Sequence, residues 1–159
     1  MSIEGREFRD ALGRFATGVC LITTTTADGR HLALTANSFS SVSLDPPLVL
    51  WNLQNNSDVF DEYASPERYA INILSQEQMD LSNTYAKKGG HELAPAHFTI
   101  GEHGAPVISG ALASFECEPY ATHEGGDHVI IVGRVMGMSS SGEGRPLLFF
   151  GGSYGELAT

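Results

Sequence analysis

The chain has 159 residues, a formal net charge of −10 and two cysteines. A chain of this length makes one domain, here residues 1–159, and buries roughly 70% of its unfolded surface without disulfide staples. The acidic balance excludes a nucleic-acid binder, which needs a basic footprint. No apolar run reaches the ~18 residues of a membrane helix, and the charged start MSIEGREFRD lacks a signal segment, so the expected compartment is the cytoplasm, with no membrane partner.

In chain order, Phe8, Ala11, Leu12, Phe15 and Ala16 fall on one helical stripe, with Gly18 as its stop. This helix is expected to cover a barrel face. Val19 to Thr26 is β-branched and reads as a strand. Asp28-Gly29 signals a hairpin, and His31 to Ser38 is the return strand. Cys20 and Cys117 both sit in apolar strands, which fits two buried thiols and leaves a disulfide open.

The stretch from Leu34 to Leu53 has a mixed character. Its first half sets Thr35, Asn37, Ser38, Ser40, Ser41 and Ser43 among apolar neighbours. Asp45-Pro46-Pro47 stops any helix there, and Leu48 to Leu53 is a buried strand. Two readings fit these residues: neutral donors and acceptors lining a pocket, or hydroxyls that bond their own backbone. Ser57 is expected to cap a short helix over Asp58 to Ala64. Such an N-terminus also suits a phosphate, although the Asp58 carboxylate opposes it.

Tyr69 to Leu74 alternates as a strand. Ser75 with Gln78 forms a capping box that opens a helix through Ala86. Lys87 to Phe98, with Gly89-Gly90 and Pro95, is a loop that either covers a ligand or forms plain surface. Ala111 to Thr122 and His128 to Met138 are strands around the loop His123–Asp127. Ser139 to Arg145 is a turn, and Leu147 to Phe150 is the last strand. Roughly seven or eight short strands with two or three short helices, and no βαβ alternation, predict a mainly β, largely antiparallel barrel.

His123-Glu124-Gly125-Gly126-Asp127-His128 is not an HExxH zinc site. The second histidine comes one residue late and the glycines disfavour a helix, so no metal is expected. GxGxxG, GxSxG and P-loop patterns are absent. Any nicotinamide nucleotide therefore binds without a Rossmann domain.

Five segments together resemble the short-chain flavin reductases, the reductase components of two-component flavin-dependent monooxygenases. They are Phe15-Ala16-Thr17-Gly18-Val19, the run Thr35 to Pro47, Tyr69 to Leu74, Gly126-Asp127-His128, and Pro146 to Phe150 with Tyr154. The resemblance implies an FMN-binding split β-barrel with Greek-key-like connections, a homodimer, and hydride transfer from NADH or NADPH to FMN or FAD. The reduced flavin then goes to a partner monooxygenase. A flavin carrier with tightly held FMN, or a relative that has lost flavin, is the other class of function.

The resemblance assigns Thr35, Ala36, Asn37 and Ser38 to the flavin ring and ribityl chain. It assigns Ser41, Val42 and Ser43, with Asn52, Ser57 and Lys87, to the phosphate side. His128 is the catalytic candidate, with Gly126 and Asp127 beside it and Tyr154 in the same pocket. Two departures stand out: many relatives carry an arginine near Asn55 and a cation at Ser153. His97 stands where a lysine is common.

Overall fold

The computed structural model describes residues 2–158; Met1 and Thr159 lie outside the described residues. Helix α1 spans Gly5–Leu12, and the Glu4 carboxylate accepts from the Arg6 and Glu7 N–H groups at 3.0 and 2.8 Å, satisfying two donors that a helix start leaves open. The helix ends at Leu12, with Gly13 as its C-cap, rather than reaching Ala16 and Gly18, and the expectation that it covers a barrel face fails: Phe8 and Leu12 on it are 53 and 59% exposed, and Phe15 beyond it 78%. Periodicity shows that a face is apolar but not what packs against it.

The strands are β1 (Thr17–Gly18), β2 (Cys20–Thr25), β3 (His31–Ala36), β4 (Ser40–Leu44), β5 (Pro47–Gln54), β6 (Tyr69–Ile73), β7 (Phe98–Ile100), β8 (Pro106–Ile108), β9 (Ala113–Gly125), β10 (His128–Ser140), β11 (Leu148–Phe150) and β12 (Ser153–Gly155). Two further short helices are α2 (Phe60–Ala64) and α3 (Met79–Tyr85). Seven strands form one antiparallel sheet in the order β3-β2-β6-β9-β10-β5-β4, and β1-β11-β12 and β7-β8 form two smaller sheets. The molecule is mainly β. Among the described residues β3 and β4 do not pair, so the large sheet is not closed into a barrel.

β2 is buried on both faces, which explains its nearly unbroken apolar and threonine composition. Cys20 and Ile22 face a core with Trp51, Tyr63, Tyr69 and Ile71; Val19 and Leu21 face a second core with Leu74, Tyr85, Leu93 and Leu147. Trp51 meets Tyr63 edge-on at 5.7 Å, and the Tyr63 hydroxyl donates to the Ile22 carbonyl at 2.7 Å. Asn72, fully buried between sheets, donates to the Leu21 carbonyl and accepts from the Ile108 N–H and the Ser114 hydroxyl. Both thiols are free and buried, and burial pushes each up to about 12.

Three local readings change. Ser41, Val42 and Ser43 belong to a strand of their own, β4, which pairs with β5. The segment 58–64 yields only the five residues of α2, and Val59, not Ser57, precedes it as cap. The loop 87–98 is anchored along its first half. Its residues His91 and Leu93 exchange backbone hydrogen bonds with Ala33 and His31 of β3 at 2.8 Å, so it lies along the edge of that strand.

Candidate active site

The end of β3 and the middle of β5 stand on either side of a gap, spanned by Ser38. Its hydroxyl accepts from the Asn52 N–H at 2.9 Å and contacts the Asn52 carbonyl at 3.5 Å. A hydroxyl there holds two strand segments that have no ladder between them. Beside it lies a cavity of about 290 Å³. Thr35, Ala36, Asn37 and Ser38 line one wall, Asn52 and Ser57 the other, and His128 reaches in from β10. Seven of the residues singled out from sequence thus meet in one place.

A second lobe of about 230 Å³ shares Thr35, Ala36 and Asn37 and adds Tyr154 and Phe149. These two rings pack edge-on, with centroids 5.6 Å apart. Two lining residues escaped the sequence reading: Ser82 and Ala86. Ser82 is fully buried; its carbonyl accepts from the Thr35 hydroxyl at 2.7 Å, and its own hydroxyl pairs with that of Tyr154 at 2.6 Å. The available signal was a serine inside the helix after the capping box, a position that favours a side-chain partner.

His128 opens β10 directly after the hairpin turn. Gly126, at φ 71°, takes the left-handed conformation the turn requires. Asn55 fastens this turn to the end of β5: its N–H donates to the Asp127 carbonyl at 3.0 Å and its Nδ2 to the Gly126 carbonyl at 3.1 Å. Asn55 therefore has a structural use. The Asp127 carboxylate lies 2.7 Å from His128 Nδ1, and that hydrogen bond holds its carboxyl below the usual range. With Nδ1 engaged by Asp127, Nε2 is the imidazole nitrogen left for the cavity.

Ser41, Val42, Ser43, Lys87, Gly126 and Asp127 do not line either lobe. The first three lie on the outer strand β4. Gly126 and Asp127 act through the turn that presents His128, and the Lys87 carbonyl accepts from Gly90 N–H in the turn after α3. Asp58, next to Ser57, bonds neither helix nor cavity: it accepts from the Gly89 N–H at 2.6 Å and meets His91 Nε2 at 3.0 Å.

A family model described as flavin reductase like domain matches residues 12–158. The chain is 43% identical over 153 residues to the FMN reductase (NADH) SmoA of Agrobacterium fabrum, covering 96% of this chain and 86% of that protein. It is 42% identical over 137 residues to the reductase component of the flavin-dependent trigonelline monooxygenase of Acinetobacter baylyi, spanning 86% of this chain but only 44% of that protein. The NADH:FAD oxidoreductase SgcE6 of Streptomyces globisporus, solved in complex with NAD and FAD fragments, superposes with a TM-score of 0.91 at 30% identity, covering 99% of this chain and 97% of that one. On sequence and fold together, the chain belongs to the flavin reductase like domain family.

Proposed function

We propose that this chain is an NAD(P)H:flavin oxidoreductase that reduces FMN or FAD and supplies reduced flavin to a partner monooxygenase. The observation that carries the reading is the meeting of Thr35–Ser38, Asn52, Ser57 and His128, distant in sequence, around one cavity. The fit to a flavin is chemical. Oxidised flavin offers one ring N–H and a chain of ribityl hydroxyls, and this wall offers neutral acceptors. Asn52, a residue of this wall, has its Oδ1 buried without a protein partner, an unmet acceptor beside the cavity.

When bound, flavin would supply the hydride acceptor and the nicotinamide the donor, chemistry that belongs to the cofactors. The protein's part is placement. The Ala36–Ser38 backbone and Asn52 would hold the ring edge, and Ser57 would serve the phosphate end. His128, its ring oriented by Asp127, would present Nε2 to the nicotinamide or flavin ring. The Tyr154 hydroxyl, fixed by Ser82 at 2.6 Å, closes the adjoining lobe. Ser41, Val42, Ser43 and Lys87 remain candidates for the phosphate side in the assembled enzyme, with Gly126 and Asp127 as supports of His128.

The same reading takes residues 1–159 as one domain, a split β-barrel whose split is the gap bridged by Ser38, working as a cytoplasmic homodimer. Steady-state oxidation of NADH and NADPH against FMN, FAD and riboflavin tests it. Flavin-dependent turnover is the expected result; no turnover with any of the six pairs overturns it. His128→Ala is expected to lower kcat/KM for the nicotinamide nucleotide about a hundredfold, in the range of one positioned acid–base or orienting group.

A further inference from the structure

Ser82 differs from the other hydroxyl near it in α3. Two residues on, the Thr84 hydroxyl donates to the Asp80 carbonyl at 2.8 Å, the bond to the preceding turn that a hydroxyl inside a helix ordinarily makes. The Ser82 hydroxyl instead leaves its helix and meets the Tyr154 hydroxyl at 2.6 Å. The Ser82 carbonyl lies in the last turn of α3, where helix acceptors are left open, and accepts from the Thr35 hydroxyl at 2.7 Å. One fully buried serine thus ties α3 to Thr35, on the wall that both lobes share, and to Tyr154 in the smaller lobe.

Tyr154 needs such a tie. It sits in β12, a three-residue strand whose ladder partner is β11. Its ring packs on Phe149, the residue opposite it in β11. Among the described residues, the Ser82 bond is the hydrogen bond that fixes this phenol from outside the small sheet.

Two hydroxyls that share one hydrogen bond use one of their two protons. If Tyr154 donated, the spare proton would be that of Ser82, in a fully buried residue with no other side-chain partner among the described residues. An unmet buried donor is costly. If Ser82 donates, the spare proton is that of Tyr154, which is half-buried and lines the lobe. The second arrangement is favoured, and it leaves the Tyr154 O–H free for a ligand there.

We propose that Ser82 is a positioning residue that holds the Tyr154 hydroxyl as a hydrogen-bond donor to a carbonyl oxygen of the bound ligand. The identity of that ligand rests on the reductase reading, in which two molecules carry such an oxygen: the flavin, on its ring, and the nicotinamide, on its carboxamide.

The test is a cycle of Ser82→Ala, Tyr154→Phe and the double variant, read by FMN titration and by steady-state kinetics with NADH. Ser82→Ala is expected to weaken the carbonyl-bearing ligand about fivefold, in the range of one neutral hydrogen bond. In the Tyr154→Phe background the same change is expected to do nothing more, because the hydroxyl it positions is gone. The source follows from which quantity moves. A raised FMN dissociation constant with a shifted visible band of the bound flavin assigns the flavin. Unchanged FMN affinity with a raised KM for NADH and retained kcat assigns the nicotinamide. A Ser82→Ala protein that only unfolds more readily in urea, with both quantities at wild-type values, overturns the proposal. So does an effect of equal size with and without the Tyr154 hydroxyl. Titration needs no turnover, so the two readings fail separately. Wild-type turnover beside a silent Ser82→Ala removes the positioning role alone; FMN binding without turnover removes the reductase reading and leaves the cycle to be decided by titration. A wild type that neither binds FMN nor oxidises NADH overturns both.

Discussion

Asn55 carries two hydrogen bonds to the turn that presents His128, from its own backbone and from its side chain. Removing the amide leaves the backbone bond and loosens the turn. Asn55→Ala is therefore expected to reduce kcat more than flavin affinity, about tenfold, because a slightly misplaced group costs rate before it costs binding; stopped-flow hydride transfer beside a flavin titration separates the two. Gly133 is a different kind of single-residue constraint. It follows a register shift in β10, and a Cβ there would stand 2.0 Å from the Tyr69 hydroxyl oxygen and 3.1 Å from Cys117 Cβ. Gly133→Ala forces a buried ring to move and is expected to cost about 1–3 kcal/mol, read as a lower urea midpoint. The neighbouring Cys117 and Cys20 have thiols raised to about 12 by burial, so the native protein is expected to resist iodoacetamide at pH 8 until it is unfolded.

Among the elements, the segment after α3 is the one most altered by tertiary context. Its glycines suggested freedom, yet Asp58 and His91 pin it. His91 Nδ1 donates to the Ala33 carbonyl at 3.0 Å while Nε2 meets Asp58 Oδ1 at 3.0 Å. Both ring nitrogens thus face acceptors. The pair links β3, the Ser57 turn and the end of α3, three elements around the candidate pocket. Desolvation opposes the Asp58 charge, but the Gly89 N–H and His91 outweigh it and hold the carboxyl below its usual range. A depressed native value means that the stabilisation is complete above the unfolded value of about 3.9 and is lost as pH falls through the native one. Asp58→Asn is expected to cost about 1–3 kcal/mol at pH 7 and to weaken FMN binding. The gap between variant and wild type should close as pH falls below about 4, which urea unfolding at pH 7 and pH 3 measures. β-branching made β2 readable from sequence, the Asp28-Gly29 hairpin signal β3, a continuous apolar run β5, and period-two alternation β6. β4 was hidden by its serines and flanking prolines, and β7 and β8, three residues each, are too short to show a period. Of the site, the Thr35–Ser38 run and His128 were legible as motifs. Ser82 was not, because its place depends on α3 packing across β3, which local spacing does not encode.

At the scale of the whole molecule, the apolar surface left uncovered by one chain argues for a second. Leu44 is 96% and Met138 67% exposed, and Val42 and Met136 are also open. Strand register gathers part of this surface: Leu44 lies opposite Pro47, and Leu48 opposite Arg134, two residues before Met136. These side chains thus sit toward one end of adjoining strands β4, β5 and β10. β4 is also a sheet edge with unpaired backbone groups, which natural proteins cover or charge, and here it carries no Lys, Arg, Asp or Glu. An uncharged edge beside exposed Leu and Met is the composition of an interface core. The same strand holds Ser41 and Ser43, which lie outside the cavity of their own chain, so pairing through β4 would bring them toward a neighbouring site. The wild-type chain is expected to sediment as a dimer at micromolar concentration. Leu44→Arg with Met138→Glu should shift it to monomer while leaving the circular dichroism of the sheet intact. A wild-type protein that sediments as a monomer would remove both the homodimer and any part for Ser41 and Ser43 in a shared site.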